Sequence, residues 1–300
     1  MPTPTRESTP GREHFPLNPV QRSQRPAFLG RISVLVRGGG DLGTGVVARL
    51  WHAGFRVAVS EVPEPLAVRL GAALAAAVWE QETQIEDLRA RKVASAHAVW
   101  EAWGEGTIPV MVDPSADLAR EIDFLAVVDA RMTKRGGESP VRVHPLLIGL
   151  GPGFAAGRDC HAVVETQRGH NLGRVYWSGG AQADTGLPDP VAGHDSERVL
   201  RAPAEGRLRG LKRIGDRVEK GELIVQVEGQ HVRAPFPGVL RGLMHDGVRV
   251  AKGMKIGDLD PRGVREYCFT VSDKARAVGG GVLEALMASP QFASLLGTIA

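Results

Sequence analysis

An internal repeat constrains the fold of this chain more than any other feature. Residues 201–206, R-A-P-A-E-G, return as R-A-P-F-P-G at 233–238, an offset of 32 residues. The offset continues through Leu208/Leu240, Gly210/Gly242, Gly215/Gly247, Val218/Val250 and Ile224/Ile256. Each copy predicts a few short strands joined by glycine turns, too little to bury an apolar face alone. We therefore expect the two copies to clasp into one compact β-sandwich over residues 198–261.

The repeat resembles the pseudo-twofold biotinyl/lipoyl module, the barrel-sandwich hybrid, over residues 199–260. Its A-P-x-x-G openings and its G-D-R-V-E-K-G turn at 215–221 carry the resemblance. Such modules hold a modified lysine in the turn between the copies. The corresponding turn here, V-E-G-Q-H at 227–231, has no lysine. We therefore expect neither lipoate nor biotin, and interpret the repeat as a scaffold or docking module.

Residues 31–150 alternate strand-like and helix-like segments. Apolar, β-branched runs lie at 32–36, 55–60, 108–112, 124–128 and 146–150, with helical periodicity between several of them. This alternation predicts an α/β fold, with a Rossmann-like, mostly parallel sheet and helices on both faces. Within it we expect helices at 65–73 and 115–122 and a strand at 77–79.

The other segments have weaker signals. Residues 1–30 are proline-rich and predict a disordered leader, 151–197 a connecting region of strands and loops, and 262–300 a strand at 267–271 followed by helices. The net charge of +3 and the pI near 9.1 do not imply a nucleic-acid partner. No apolar run is long enough to span a membrane, and two cysteines are too few for a disulfide framework. We expect a cytoplasmic protein, with a homo-oligomer as the base-rate state.

A glycine-rich segment follows the first strand. Gly38, Gly40 and Gly43 satisfy G-x-G-x-x-G between a strand and a helix, the context in which this motif binds a pyrophosphate. Glu61 ends the second strand, where an acid commonly binds a ribose hydroxyl. Asp41 would repel a polyanion unless Arg37 or a metal compensates it. The alternative is tight glycine packing without a nucleotide, and the ligand interpretation requires that the loop be open.

Two further groups of residues could carry chemistry. Asp129 and Arg131 follow a predicted strand, at the edge where doubly wound sheets bind ligands, although a solvated basic loop explains them equally well. Cys160 and His161 lie close to other potential ligands and could position a thiolate or help to bind a soft metal. A packed, structural cysteine is the alternative. The three glycines at 279–281 require a close approach to a backbone or a ligand.

From Val34 onward the chain resembles the YqeB-type accessory proteins of selenium-dependent molybdenum hydroxylases. The matching segments are R-G-G-G-D-L-G-T-G at 37–45, G-L-G-P-G-F at 149–154, D-C-H-A-V-V-E-T at 159–166, R-G-H-N-L-G-R-V at 168–175, R-A-P-A-E-G at 201–206, G-D-L-D-P-R-G at 257–263 and S-D-K-A-R-A-V-G-G-G-V-L-E-A at 272–285. The N-terminal part is also similar to the Rossmann domain of XdhC maturation factors. The resemblance implies a maturation role, in which a labile selenium or sulfur ligand or the molybdopterin cofactor reaches a client hydroxylase.

Two functions remain open. In the first, a non-redox accessory protein binds molybdopterin or its dinucleotide form at the glycine loop, with Arg37 and Arg131 as cationic support. Cys160 would then carry a chalcogen and the repeat would dock the client enzyme. In the second, an NAD(P)-dependent oxidoreductase uses the same loop, with Glu61 on the ribose. A scaffold without any small ligand is a weaker third possibility.

Overall fold

The computed structural model describes residues 27–133, 146–184, 191, 193–194 and 196–299. The predicted leader lies almost wholly outside these residues. The described chain is a mixed α/β structure with one large sheet and a separate β-rich unit formed by the repeat.

The large sheet has nine strands, seven of them parallel. In chain order the first strands of the molecule are β1 (Ser33–Arg37), β2 (Arg56–Glu61), β3 (Glu82–Ile85), β4 (Leu88–Val93), β5 (Ile108–Val112), β6 (Ala126–Asp129), β7 (Leu147–Leu150), β8 (Ala155–Ala156), β9 (Ala162–Val164), β10 (Val175–Tyr176) and β11 (Gly179–Gly180). The spatial order is β10-β9-β7-β6-β1-β2-β5-β4-β3, and only the edge strands β3 and β10 are antiparallel to their neighbours. The order in which strands are added reverses between β1 and β6: strands β2 to β5 lie on one side of β1, and β6, β7, β9 and β10 lie on the other. The expected large parallel sheet is confirmed.

Several predicted boundaries are wrong. The sheet continues past residue 150 through β9 and β10, so the segment from 151 does more than connect two units. The strand expected at 77–79 is the short helix α2 (Ala77–Glu80), and the helix expected at 65–73 is reduced to a 3₁₀ turn at Leu70–Ala72. The β3–β4 hairpin was not predicted, because half of its residues are charged and its turn residue Glu86 adopts a positive φ of 53°.

Two further expected elements are short 3₁₀ turns. The helix expected at 115–122 is a single 3₁₀ turn at Asp117–Arg120, and the strand expected at 267–271 is a 3₁₀ turn at Arg265–Cys268. In the first turn the Asp113 carboxylate accepts hydrogen bonds from the N–H groups of Asp117 and Leu118. Local side-chain acceptors of this kind favour a turn over a continued helix.

Four longer helices complete the first unit: α1 (Asp41–Ala53), α3 (Ala96–Gly104), α4 (Asp273–Met287) and α5 (Pro290–Ile299). The three consecutive glycines lie inside α4, where helix propensity alone disfavours them. For Gly279 the reason is contact with α1, whereas a methyl group on Gly281 would lie 2.2 Å from the Gly173 carbonyl oxygen. A methyl group on Gly45 would lie 2.3 Å from the Ala275 carbonyl oxygen, and one on Gly279 would lie 2.4 Å from the Gly45 carbonyl oxygen. The two helix backbones therefore touch directly.

The repeat forms two four-stranded sheets from strands of both copies. Its strands are β12 (Val199–Arg201), β13 (Gly206–Gly210), β14 (Arg217–Val218), β15 (Leu223–Val227), β16 (Gln230–Arg233), β17 (Gly238–Leu243), β18 (Arg249–Val250) and β19 (Lys255–Asp260). One sheet has the order β12-β19-β17-β14 and the other β16-β15-β13-β18, so each takes two strands from each copy.

Matched hydrogen bonds cross between the copies. Gly215 N donates to Leu240 O, and its counterpart Gly247 N donates to Leu208 O, both at 2.8 Å. Both leucines are buried in one shared apolar core. Neither copy buries its apolar face alone, as the repeat length implies.

No helix within the described ranges has both the length and the apolar character needed to cross a bilayer.

Candidate functional site

The carboxyl ends of the parallel strands form one edge of the large sheet, where ligands of such sheets bind. Helix α1 begins there, directly after β1 and the glycine loop. Helix α4 begins at the same edge, because Arg168, which follows β9, holds the first residue of α4, Asp273, through two hydrogen bonds of 2.6 and 2.7 Å. Two helix N-termini, each with an aspartate as first residue, thus face this edge.

The glycine loop is closed on one side. Gly39 O accepts hydrogen bonds from Ala75 N at 2.9 Å and from Thr44 Oγ1 at 3.1 Å. A methyl group on Gly39 would lie 2.9 Å from Ala75 N, and one on Gly43 would lie 1.9 Å from Gly38 O. The buried segment around Ala75 therefore covers the loop at Gly39, where packing alone explains the glycines.

The other side of the loop is open. Gly40 has an ordinary φ of −66°, and a methyl group built on it would meet nothing within 4 Å. Gly40, Asp41 and Leu42 are partly exposed. Because Gly40 precedes a helix of 13 residues, the N–H groups of the first turn and the positive end of the helix dipole face this open space.

Glu61 is bound to the loop itself. Its Oε1 accepts a hydrogen bond from Gly39 N at 3.1 Å and its Oε2 accepts one from Val62 N at 3.2 Å. Burial raises the pKa of this carboxyl above its usual range, while the two backbone hydrogen bonds act in the opposite direction. Both oxygens thus stabilise the backbone at the closed side.

The charge of Asp41 is compensated by Arg69, a residue with no motif signal in the sequence. Arg69 Nη1 donates to Asp41 Oδ1 at 2.6 Å, and Arg69 Nη2 donates to the carbonyl oxygens of Tyr267 and Thr270. The expectation that Arg37 compensates Asp41 is wrong. Arg37 Nη2 donates instead to Pro114 O at 3.0 Å, and the side chain is only 6% exposed.

Asp129 and Arg131 are brought together at the end of β6. The Arg131 guanidinium donates to both Asp129 oxygens, at 2.6 to 3.2 Å, and Arg37 Nη1 lies 3.8 Å from Asp129 Oδ2. Asp129 is buried, and two guanidinium groups surround it. Arg37 and Arg131 are therefore both ion-pair partners of Asp129. Of the two, only the partly exposed Arg131 could also contact a ligand.

Cys160 is fully buried in the core of the first unit. Burial raises the pKa of its thiol to about 11, although a backbone hydrogen bond involving Gly149 lowers it in part. A reactive cysteine needs exposure and a lowered pKa, so this environment opposes the predicted carrier role. His161 Nδ1 accepts a hydrogen bond from Leu147 N at 2.9 Å, which uses the ring to fix β7 and leaves its proton on Nε2.

Cys268 lies elsewhere, against β17 of the repeat, with its Sγ 3.7 Å from Leu240 O. Among the described residues, no three His, Cys, Asp or Glu side chains come together as metal ligands. The soft-metal alternative for Cys160 and His161 therefore has no partner group within that part of the chain.

Comparison with known proteins gives one relative by sequence. No family model matches the chain. The chain is 47% identical over 254 residues to the uncharacterized protein YqeB of Escherichia coli strain K12. The match covers 85% of this chain and 47% of that protein, so the chain spans about half the length of this curated relative. The similarity supports the predicted relationship to YqeB-type proteins and leaves the hydroxylase role untested.

Similar solved structures give no further guidance. EutE (DoeB) of Ruegeria pomeroyi is 22% identical over 28% of this chain and 27% of its own, with a TM-score of 0.20. An aspartoacylase family protein of Mesorhizobium loti is 11% identical, covers 76% of this chain and 84% of its own, and has a TM-score of 0.23. TcdA (CsdL) is 13% identical, covers 86% and 89%, and has a TM-score of 0.22. TM-scores of this size do not indicate a shared fold.

Proposed function

We propose that this protein is an accessory factor in the maturation of a molybdenum hydroxylase and binds a phosphate-bearing cofactor of the molybdopterin or dinucleotide class. In this proposal the large sheet is Rossmann-like, and the repeat is a barrel-sandwich hybrid that docks the client enzyme. The motif resemblance supports the pathway, and the similarity to YqeB supports the relationship to that group of proteins. The strand order supports the sheet type, since it reverses between β1 and β6 as doubly wound sheets do.

The open side of the glycine loop carries the proposal. A phosphate at Gly40 would meet the free N–H groups of the first turn of α1, and apart from the two chain neighbours nothing lies within 4 Å of a methyl group built on Gly40. Arg69 already neutralises Asp41, so the carboxylate beside the loop does not act as an isolated negative charge. The residues present therefore fit a phosphate group, and Gly40, Asp41 and Gly43 would hold it through their backbone.

The contacts of Glu61 weigh against the NAD(P)-dependent oxidoreductase. In that reading the carboxylate binds the ribose, but both of its oxygens accept backbone N–H groups. The segment at Ala75 also covers the loop beside Glu61, where the ribose would lie. Chalcogen transfer through Cys160 is likewise not part of the proposal, because its thiol is buried and largely protonated at neutral pH.

The test is equilibrium binding of inorganic pyrophosphate, cytidine diphosphate and NAD to the full chain, with thermal melting as a second readout. We expect pyrophosphate and the diphosphate to bind, and a ligand at 100 times its Kd should add about 2.7 kcal/mol of stability. Gly40→Val should abolish binding by filling the open space, while Gly40→Ala should melt like the parent protein. No binding of either phosphate compound, or equal binding by Gly40→Val, would overturn the proposal.

A further inference from the structure

A set of charged side chains joins the repeat to the glycine-loop edge, and we call it the junction cluster. Its members are the carboxylates Asp41, Asp258 and Asp260 and the cations Arg69, Arg198, Arg241, Lys255 and Arg262. The two units touch here, since a methyl group on Gly242 of β17 would lie 2.7 Å from the Val68 carbonyl oxygen. Val68 precedes Arg69, which binds Asp41 at the start of α1.

Each carboxylate of the junction cluster already has a close cationic partner. Arg69 binds Asp41 at 2.6 Å, and Arg198 donates a short hydrogen bond to Asp258. Arg262 binds both oxygens of Asp260, at 2.9 and 2.6 Å. Three guanidinium groups thus match three carboxylates, and Arg241 and Lys255 are additional positive charges.

Arg241 is poorly paired. Its Nη1 lies 3.7 Å from Asp258 Oδ2 and its Nε lies 3.7 Å from Asp260 Oδ2, both too far for hydrogen bonds. The Nε atom is buried and has no hydrogen-bond acceptor among the described residues, although the side chain is only 12% exposed. The buried Nε–H of Arg241 has therefore lost water without gaining a hydrogen bond, which is costly even though both carboxylates lie within ion-pair distance.

Lys255 has no close partner at all within the described chain. Burial lowers the pKa of its ammonium group, and repulsion from Arg198 and Arg241 acts in the same direction. The carboxylates of Asp258 and Asp41 act in the opposite direction. The charge of Asp41 also acts on Arg241, so both cations lie within electrostatic reach of the start of α1.

The first copy of the repeat shows that the sandwich needs neither a buried arginine nor a lysine at these two positions. The counterpart of Arg241 is Arg209, which is exposed, and the counterpart of Lys255 is the apolar Leu223. The second copy therefore holds two underpaired cations, on β17 and β19, and β17 is the strand whose Gly242 lies against Val68. The buried Nε–H of Arg241 lacks an acceptor, and Lys255 has no ion-pair partner within the described chain, so a group that supplies acceptors is expected at this place.

We propose that Arg241 and Lys255 bind a phosphate or diphosphate group of the ligand, on the side opposite the first turn of α1 at Gly40. The inference rests on the proposed function for the glycine-loop half of the site and adds the half that the repeat provides. Arg241 supplies a guanidinium fork and Lys255 a compact charge, the two ways in which proteins commonly hold phosphate. The repeat is then part of the binding site as well as a docking module.

The test is calorimetric titration of inorganic pyrophosphate into the full chain and three variants. Lys255→Gln removes a charge that has no ion pair, and Arg241→Lys keeps the charge but loses the fork. Each should weaken binding by about 10- to 100-fold, the effect of losing a hydrogen bond to a charged group. The matched control is Arg209→Gln, which removes one positive charge from the equivalent strand position and should leave the affinity unchanged.

The outcomes separate this inference from the proposed function. If Gly40→Val abolishes binding while Lys255→Gln and Arg241→Lys bind like the parent, the glycine-loop site stands and the inference is overturned. If the cation variants lose binding and Gly40→Val keeps it, the repeat holds the anion and the proposed function is overturned. Equal losses in Arg209→Gln and Lys255→Gln would reduce the effect to net charge and contradict the inference, and no binding by the parent would overturn both.

Discussion

The two copies of the repeat have one fold and two different surfaces. Their strands correspond one to one and their glycine and leucine positions match, so the pattern shared by both copies determines the sandwich. The copies carry different residues at Lys212/Met244, Glu222/Met254, Leu223/Lys255, Gln226/Asp258 and Glu228/Asp260. Arg209 is exposed, whereas the side chain of its counterpart Arg241 is only 12% exposed. The difference shows which residues serve the fold of the module and which serve its contact with the rest of the chain.

One matched pair shows the contrast in detail. Lys212 N and Met244 N both donate to the carbonyl oxygen of an isoleucine, Ile224 or Ile256, so the two backbones are equivalent. The Lys212 side chain forms an ion pair with Glu222 near the surface, whereas Met244 is buried in the core of the module. Equal backbone positions thus have opposite environments, because only the second copy is covered at this place.

The largest effects should come from the shared core. Leu208→Ala and Leu240→Ala should each lower the free energy of unfolding by about 2–5 kcal/mol, since both side chains are buried and leave a cavity. Chemical denaturation measures both. Similar losses support one cooperative core, whereas a large loss in one variant and none in the other would show that the copies fold separately.

The next effect belongs to a thiol that packs against the second copy, and it depends on pH. Burial raises the pKa of Cys268, beside Leu240 O, to about 11 from an ordinary value of 9.0, while Arg241 acts to lower it. Between these two pH values the unfolded chain ionises first, so the free energy of unfolding should fall by about 2–3 kcal/mol as pH rises. Below pH 9 this contribution is fully retained.

Denaturation at several pH values checks this, with Cys268→Ala as the comparison. The variant should lose less stability than the parent between pH 9 and 11, because every other ionisable group is common to both proteins and cancels in the comparison. Identical pH profiles would show that the thiol is accessible in the folded protein.

Matched glycines give a smaller difference. A methyl group on Gly242 would lie 2.7 Å from the Val68 backbone oxygen, whereas one on Gly210 would lie 3.3 Å from the movable end of Leu243. Gly242→Ala should therefore cost about 1–3 kcal/mol and Gly210→Ala less than about 1 kcal/mol. Thermal melting of the two variants compares them, and a larger loss for Gly210→Ala would mean that the two units are not in close contact.

The smallest effect belongs to the exposed ion pair of the first copy. Lys212→Met gives this copy the residue that the second copy has, and should change stability by less than about 0.5 kcal/mol, because such pairs near the surface contribute little. The reverse change, Met244→Lys, places a charge in the core and should be much more destabilising. Equal effects in denaturation would mean that the copies are equally exposed.

The sequence predicted those parts of the fold that follow from periodic local patterns. The buried strands β1, β2, β5, β6 and β7 are short apolar runs and were all placed to within about two residues. The β3–β4 hairpin has charged residues and a non-glycine turn, so no local pattern marks it. The glycines at 279–281 suggested a close approach, but only the fold shows that its partner is α1.

The candidate site was predictable only in part for the same reason. The glycine motif located the loop, yet the segment at Ala75, which closes one side of it, has no recognisable pattern. Arg69, Arg241 and Lys255 are ordinary basic residues in sequence, and only burial together with distance to carboxylates distinguishes them. Cys160 is the opposite case. Its sequence neighbours suggested a reactive thiol, but its burial in the structure opposes that role.

The backbone contact between α1 and α4 has a consequence for synthesis of the protein. A ribosome produces α1 early and α4 only after the whole repeat, so the first helix lacks its glycine-matched neighbour until almost the entire described chain has emerged. The repeat, whose contacts are local, can fold before α4 is available to pack against α1. Pairings between distant segments form slowly, so the last step of folding should be the closure of α4 on α1.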